Sequence, residues 1–146
     1  MIMENFVEIL RDLLAENNLS LRKLEKETNI NHSQLSRYLQ GRTMRIDVAL
    51  RLAKYFDCSL DYLFGLDNNK KTVKYTTYDY DLTGFVEKYK TLLAQNSISA
   101  NQFSAKYYLN KSIVSHWNSG FKPKMDVLYL IAKELNGSID DLVGRY

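Results

Sequence analysis

Residues 19–42, LSLRKLEKETNINHSQLSRYLQGR, contain the pattern that decides the fold. Ser20 and Asn31 are residue types that cap helix N-termini, and each is followed by apolar residues at helical spacing. Asn29 lies between the two helices and suits the left-handed conformation that a tight turn often needs. Gly41 stops the second helix. The segment therefore predicts two short helices joined by a turn of three or four residues.

The two helices of this pair are expected at Leu21–Thr28 and His32–Gln40, and further helices are expected on both sides. Downstream, Asp47 lies in the first turn of a fourth helix, and Ser59 caps a short fifth helix that Gly65 closes. Upstream, apolar residues recur at the spacing of one helix face: Phe6, Ile9, Leu10, Leu13 and Leu14. Together these elements predict an all-α unit of five short helices.

The whole pattern returns 79 residues later in the chain. With no gap, about 20 of roughly 62 aligned positions are identical, whereas chance would give a few. The cap positions of the second copy are Ser99, Asn110 and Ser138, and its stops are Gly120 and Gly144. The sequence therefore predicts an all-α protein of two tandem five-helix domains, at 1–66 and 83–146, joined by a linker at 67–82.

The tyrosine-rich linker has no counterpart in either copy. Val73, Tyr75 and Thr77 alternate with Lys74, Thr76 and Tyr78, a pattern that permits a strand. Three interpretations stay open for its aromatic side chains, which are Tyr75, Tyr78 and Tyr80. They cover an apolar face of the protein, pair with a second chain, or lie loose.

Composition places the chain among globular proteins of a reducing compartment. The first residues lack a signal-peptide pattern, no run of about 18 apolar residues predicts a membrane span, and Cys58 is a single cysteine. We therefore expect a cytoplasmic protein. The net charge of +3 indicates little by itself. Its distribution is informative, because windows 20–45 and 99–124 together hold 10 of the 20 basic residues and 2 of the 17 acidic ones. Such local imbalance is what phosphate binding needs.

The first stretch quoted above resembles the lambda-repressor-like, or Xre/Cro, family of helix-turn-helix DNA-binding domains. The stretch SHWNSGFKPKMDVLYLIAKELNGSIDDLVG, which begins at Ser115, resembles the latter half of the same family. The resemblance implies a compact five-helix bundle whose third helix enters the DNA major groove. It also implies a transcriptional regulator, most simply a repressor that blocks polymerase, with double-stranded DNA as its partner and a homodimer as one possible assembly.

The resemblance also implies roles for particular residues, carried over by position. The residues expected to face base edges are His32, Ser33, Ser36 and Arg37 in the first unit, and Lys111, Ser112, Ser115 and His116 in the second. The residues expected beside phosphates are Leu21, Arg22, Arg42, Thr43 and Arg45 in the first unit, and Asn101, Lys122 and Lys124 in the second.

The chain departs from the family pattern in three ways. Glu25 and Ser104 stand where the family usually has a small alanine. Tyr108 occupies the turn position of Asn29, and because positive φ disfavours a tyrosine, we expect a remodelled second turn. His116 replaces Arg37 as a weaker cation. These differences favour the first unit as the DNA reader and leave an alternative, in which the second unit serves dimerisation or binds a protein partner, as in antitoxins of similar sequence.

Other chemistry finds little support in the sequence. His32 and His116 occupy different positions in the two copies and have no metal-ligand spacing, so neither a metal nor another cofactor is expected. Cys58 is expected to be a half-buried filler and Trp117 a core residue, although stacking on bases is an alternative for Trp117. A phosphate-binding glycine loop, a nucleophile elbow and anchored paired carboxylates are all missing, so we expect no enzyme.

Overall fold

The computed structural model describes residues 3–70, 77 and 79–146. Within these residues the chain forms ten helices and no strand, which confirms the all-α prediction. The strand considered for 73–78 lies outside the described residues, apart from Thr77. The helices are α1 Glu4–Glu16, α2 Leu21–Thr28, α3 His32–Leu39, α4 Ile46–Phe56, α5 Leu60–Leu63, α6 Phe85–Gln95, α7 Ala100–Tyr107, α8 Ile113–Asn118, α9 Met125–Glu134 and α10 Ile139–Leu142.

The helix boundaries follow the repeat. A shift of 79 residues superposes α2 on α7 and α5 on α10 at both ends. It also aligns the C-terminal ends of α1 and α6, and the N-terminal ends of α4 and α9. Two helices begin two positions late, α6 relative to the shifted α1 and α8 relative to the shifted α3, and α9 ends one position before the shifted α4. We call α1–α5 the first half and α6–α10 the second half.

Most of the predicted caps and stops are confirmed. The side chains of five predicted caps accept a backbone N–H in the first turn of their helices: Ser20, Asn31, Ser59, Ser99 and Ser138. Asn29 has the left-handed conformation, with φ of 59°. The four predicted glycine stops also have positive φ, as glycine permits, at Gly41, Gly65, Gly120 and Gly144.

The buried apolar residues form one continuous cluster through both halves. Phe6 stacks on Phe64 in the first half, with 4.8 Å between ring centroids. Trp117 packs edge-on against Phe85 and Tyr89 in the second half, so it contacts the core as predicted but is only partly buried. Cys58 is fully buried rather than half-buried, and burial raises the pKa of its thiol to about 12, which suits a filler.

A polar cluster joins the two halves where α5 meets α10. Asp61 accepts a hydrogen bond from the backbone N–H of Ile139 at 2.7 Å and another from the hydroxyl of Ser138. Asp140 accepts bonds from the backbone N–H groups of Leu60, at 3.0 Å, and Asp61, at 2.8 Å. Each carboxylate therefore satisfies free N–H groups at the start of the other half's short helix.

Both carboxylates of this cluster are buried, and among the described residues Asp140 alone of the two has a cationic partner. The guanidinium of Arg145, also buried, forms an ion pair with Asp140. Burial, and then the neighbouring Asp140 charge, raises the pKa of Asp61 to about 7. Asp61 therefore binds a proton more readily than an ordinary carboxyl group does.

A second set of contacts joins the loop between α3 and α4 to the start of α9. The backbone N–H of Met125 donates to the carbonyl oxygen of Met44 at 2.9 Å. The N–H of Asp126 donates to the hydroxyl of Thr43 at 3.1 Å. We call these contacts, together with the Asp61–Asp140 cluster, the junction. The bonds from Met125 and Asp126 satisfy free N–H groups at the start of α9 with oxygen atoms of the first half.

Candidate nucleic-acid interface

The turn between α2 and α3 is held at both ends by hydrogen bonds that backbone N–H groups donate. The N–H of Asn29 donates to the carbonyl oxygen of Glu25 at 2.7 Å, which closes α2. The side chain of Asn31 accepts from the N–H of Ser33 at 2.7 Å, which opens α3. Leu24 and Leu35 are completely buried beneath the two helices. The inner face of α3 is therefore anchored in the core, and its polar face is directed outward.

Glu25, which stands where the family usually has alanine, has a structural role in the turn between α2 and α3. Its carboxylate accepts the backbone N–H of His32 at 2.6 Å and lies 3.1 Å from Nδ1 of the same residue. The backbone bond and then the side-chain bond from His32 lower the pKa of Glu25. The carboxylate thus holds the first residue of α3 from across the turn, and it also tethers the imidazole that we expected to face bases.

The remaining base-facing candidates of the first half lie along α3. Ser33 and Arg37 are exposed, whereas His32 and Ser36 are half-buried. Arg37 lies in the last turn of the helix. Its exposure leaves the guanidinium free to approach a base edge, which is the chemistry that a bidentate contact to guanine requires.

The phosphate candidates of the first half divide into three groups. Arg22 at the start of α2 and Arg42 after α3 are exposed, and Leu21 is half-buried. Arg45 is exposed and makes a 3.2 Å ion pair with Asp47. Thr43 differs from the expectation, because its hydroxyl accepts the N–H of Asp126 in the junction.

The turn of the second half keeps the backbone of the first. Tyr108 has φ of 60° and ψ of 34°, and its N–H donates to the carbonyl oxygen of Ser104, just as Asn29 bonds to Glu25. The remodelling that we expected at this residue is therefore wrong. The tyrosine side chain is 94% exposed, so the unfavourable conformation meets no additional clash from packing.

The second half differs in the start of its third helix. Asn110 was predicted to cap this helix, but the helix begins at Ile113 and Ser112 precedes it. Asn110 still accepts the N–H of Ser112 at 2.8 Å. Ser104 stands in the place of Glu25 and is too short to reach across the turn, which accounts for the later start. Lys111 and Ser112 consequently lie in the turn before α8 and not on the helix.

The other candidates of the second half are mostly exposed, with one partnered lysine. Ser115, His116, Asn101 and Lys124 are exposed. The ammonium of Lys122 donates to the hydroxyl of Tyr80 at 2.8 Å and lies 5.2 Å from the centre of its ring, and the bond to Tyr80 raises the pKa of Lys122.

Two aromatic residues on this surface were missed by the sequence analysis. Phe121 is 69% exposed in the loop after α8, where the imidazole of His116 lies 5.8 Å from its ring. The 79-residue alignment places Phe121 opposite Arg42, and this exchange of a cation for an aromatic ring was the available signal. For Tyr80, from the linker, the sequence left open cover for an apolar face, pairing with a second chain, or a loose side chain. Its contact with Lys122 has no local sequence signal.

The loops that follow α3 and α8 meet in one cationic cleft. Arg45 from the first half and Lys122 and Lys124 from the second line this space of about 380 Å³, which Tyr80 and Asp47 also border. We call it the junction cleft. The fold thus brings basic candidates from the loops of both halves to one place.

Two other kinds of site have no counterpart in the described part of the chain. No group of three or more His, Cys, Asp or Glu side chains there is arranged to hold a metal ion. No helix among the described residues is long and apolar enough to span a bilayer.

Comparison with known proteins gives one match, which lies mostly in the first half. No curated protein and no solved structure matches the chain. A family model does match, and it covers α2 to α5 with the latter part of α1. The match supports the resemblance on which the site residues were assigned, for the first half alone. Residues 9–68 match the model of the Cro/C1-type HTH DNA-binding domain.

Proposed function

We propose that this protein is a sequence-specific DNA-binding transcriptional regulator that acts as a repressor by placing α3, and with it α8, in the major groove. The observation that carries the proposal is the match of residues 9–68 to a DNA-binding domain whose third helix is anchored, capped and outwardly polar. Repression would follow from occupying an operator that overlaps the polymerase site.

The charge of the surface supports this proposal. Arg22 and Arg42 are exposed at the two ends of the helix pair, where the DNA backbone passes a recognition helix. One of the two acids in the first window, Glu25, directs its hydrogen bonds to His32. In the second window, residues 99–124, the basic residues are all lysines, and no residue is acidic. This distribution favours a polyanionic partner.

We further propose that 83–146 form a second helix-turn-helix unit, with 1–66 as the first and 67–82 between them. The coincidence of helix ends after a shift of 79 residues supports this division. Lys111, Ser112, Ser115 and His116 would then approach bases, and Asn101, Lys122 and Lys124 would approach phosphates.

A second candidate function concerns the second half alone, which would bind a protein partner or a second chain. The observations that favour it are the exposed rings of Tyr108 and Phe121 and the shortened α8. Aromatic residues of this kind are common in protein interfaces. Lys111→Ala and His116→Ala separate the two candidates, because both variants would leave DNA affinity unchanged if only the first half bound DNA.

The test of the main proposal is selection from random duplexes, followed by titration at several salt concentrations. We expect one preferred sequence, bound roughly 10³-fold or more tightly than random DNA. Its affinity should fall steeply with salt, because bound cations release counterions from the phosphates. A selection that enriches no sequence would contradict the proposal.

A further inference from the structure

The junction contains a pair of contacts that mirror one another. Asp61 and Asp140 are 79 residues apart and therefore occupy the same position in the two halves. Asp61 accepts the N–H of Ile139, and Asp140 accepts the N–H of Leu60, which is the counterpart of Ile139. Each aspartate thus accepts the N–H of the residue that precedes the other aspartate. Reciprocal contact of this kind is the signature of a two-fold relation between two units, and a head-to-tail arrangement does not produce it.

The junction cleft supports the same relation independently. Arg45 and Lys124 are counterparts in the repeat, and both line this one cleft. Equivalent residues meet each other only near a two-fold axis. In a head-to-tail array they would be separated by the length of a unit.

The symmetry is approximate, and its departures concern the DNA-facing residues. Thr43 bonds to Asp126 across the junction, whereas its counterpart Lys122 bonds to Tyr80. On the third helices, Arg37 is matched by His116. The two halves therefore share one arrangement but present different side chains.

From this geometry we infer that one chain occupies a complete operator by itself, one with two inverted, non-identical half-sites at a single fixed spacing. The inference rests on the proposed function and specifies its DNA target. A duplex presents inverted half-sites to a two-fold protein, whereas a direct repeat requires units related by translation. The buried hydrogen bonds of the junction, and not the length of the linker, set the distance between the half-sites.

The junction cleft has a place in this arrangement. Its lining comes from the loops that follow α3 and α8, so Arg45, Lys122 and Lys124 would face the backbone between the two half-sites. Cations at that point contribute affinity without sequence preference. The spacer should therefore be variable in sequence and constant in length.

The experiment varies the DNA and leaves the full-length protein unchanged. The selected operator supplies the half-sites, from which duplexes are made with the second half-site inverted, direct, or displaced by one, two and about five base pairs, the last being half a turn. Binding is measured by titration, and stoichiometry by native mass spectrometry. We expect one chain per inverted duplex, and an affinity at least roughly 100-fold lower for the direct and half-turn duplexes.

Protein variants locate each half on the asymmetric operator. Arg37→Ala should relax base preference in one half-site and His116→Ala in the other, while Lys54→Ala, on the exposed face of α4, should change neither. Equal binding to direct and inverted duplexes, tolerance of every spacing, or two chains per operator would overturn the inference and leave specific DNA binding intact. A selection that yields no preferred sequence would instead overturn the proposed function, and the inference with it.

Discussion

Tyr108 holds a backbone conformation that is costly for a tyrosine, and Asn29 holds the same conformation in the first half at lower cost. Left-handed φ is disfavoured for residues with a Cβ, but least for Asn and Asp among them. Because the Tyr108 side chain is almost fully exposed, replacing it removes little packing. Tyr108→Asn should therefore raise the free energy of unfolding by about 0.5–1 kcal/mol.

The first half provides the matched control for this prediction. Asn29→Tyr places the costly residue in the equivalent turn and should lower the free energy of unfolding by a similar amount. Urea unfolding followed by circular dichroism measures both variants. A destabilised Tyr108→Asn protein would show that the exposed ring makes a stabilising contact in solution.

Arg37 and Arg42 should differ in what they contribute to DNA binding. Arg37 lies on α3 and is expected at a base edge, whereas Arg42 lies in the following loop and is expected at a phosphate. Arg37→Ala should cost about 1–3 kcal/mol on the operator and relax preference at one base pair. Arg42→Ala should weaken all duplexes about equally and reduce the salt dependence.

Competition titrations against single-base variants of the operator measure both effects. Lys54→Ala is the control, because Lys54 is exposed about 12 Å along α4 from the loop that precedes that helix. An Arg37→Ala protein with unchanged base preference would show that the register assigned to α3 is wrong.

At the scale of the residue, sequence and structure differ where a side chain finds a distant partner. The expectation of exposure is met by Arg22, Ser33, Arg37 and Arg42, since their surroundings follow from the helix face that they occupy. It is not met by Thr43, whose partner Asp126 lies 83 residues away. No local pattern predicts such a partner, so the roles of residues at the junction were the least predictable.

Among the elements, α3 and α8 show that a capping residue in the sequence predicts a side-chain hydrogen bond more reliably than it predicts the residue at which the helix begins. Asn31 and Asn110 form the same side-chain bond two residues ahead, yet only Asn31 begins a helix at the next residue. The difference lies in Glu25, which supplies a second acceptor from across the turn in the first half. The cap was predictable from local sequence, and the helix start was not.

The meeting of α5 and α10 makes stability depend on pH through Asp61. The pKa of this carboxyl is about 7 in the folded chain, because of burial and the Asp140 charge, against roughly 4 when unfolded. Between these values the folded state keeps a proton that the unfolded state has released. The stability that Asp61 contributes is therefore complete below about pH 4 and is lost as the pH rises to about 7, by up to roughly 1.4 kcal/mol per unit.

Asp61→Asn tests this dependence with little change in shape. An asparagine can accept the N–H of Ile139 through its oxygen. Its amide can donate to the oxygen of Ser138 if the Ser138 hydroxyl, which donates to Asp61 in the structure, donates to the hydroxyl of Tyr146 instead. The variant should lose the decline in stability between about pH 4.5 and pH 7.5. Asp12→Asn, at an exposed site on α1, is the control. Identical pH profiles for wild type and Asp61→Asn would contradict the prediction.

For the whole molecule, periodicity and caps predicted the helices but not how the halves meet. Apolar spacing and caps depend on residues within one turn of one another, so the helix starts of the two halves agree within two residues in all five pairs after the shift of 79. The continuous core and the Asp61–Asp140 pair depend on contacts between distant residues. The sequence indicated that each of these carboxylates lies in the first turn of a helix. That the two form one buried pair follows only from the fold.

The mirrored bonds of the junction also bear on how a gene would respond to this protein. A repressor assembled from two separate chains must first find its partner, so at low abundance its occupancy of an operator grows with the square of the protein level. Here both participants in the reciprocal contact belong to one polypeptide, and their encounter does not depend on dosage. Under the proposed repressor function, promoter output should then decline in proportion to the protein level while occupancy is low, without the threshold that assembly from two chains imposes.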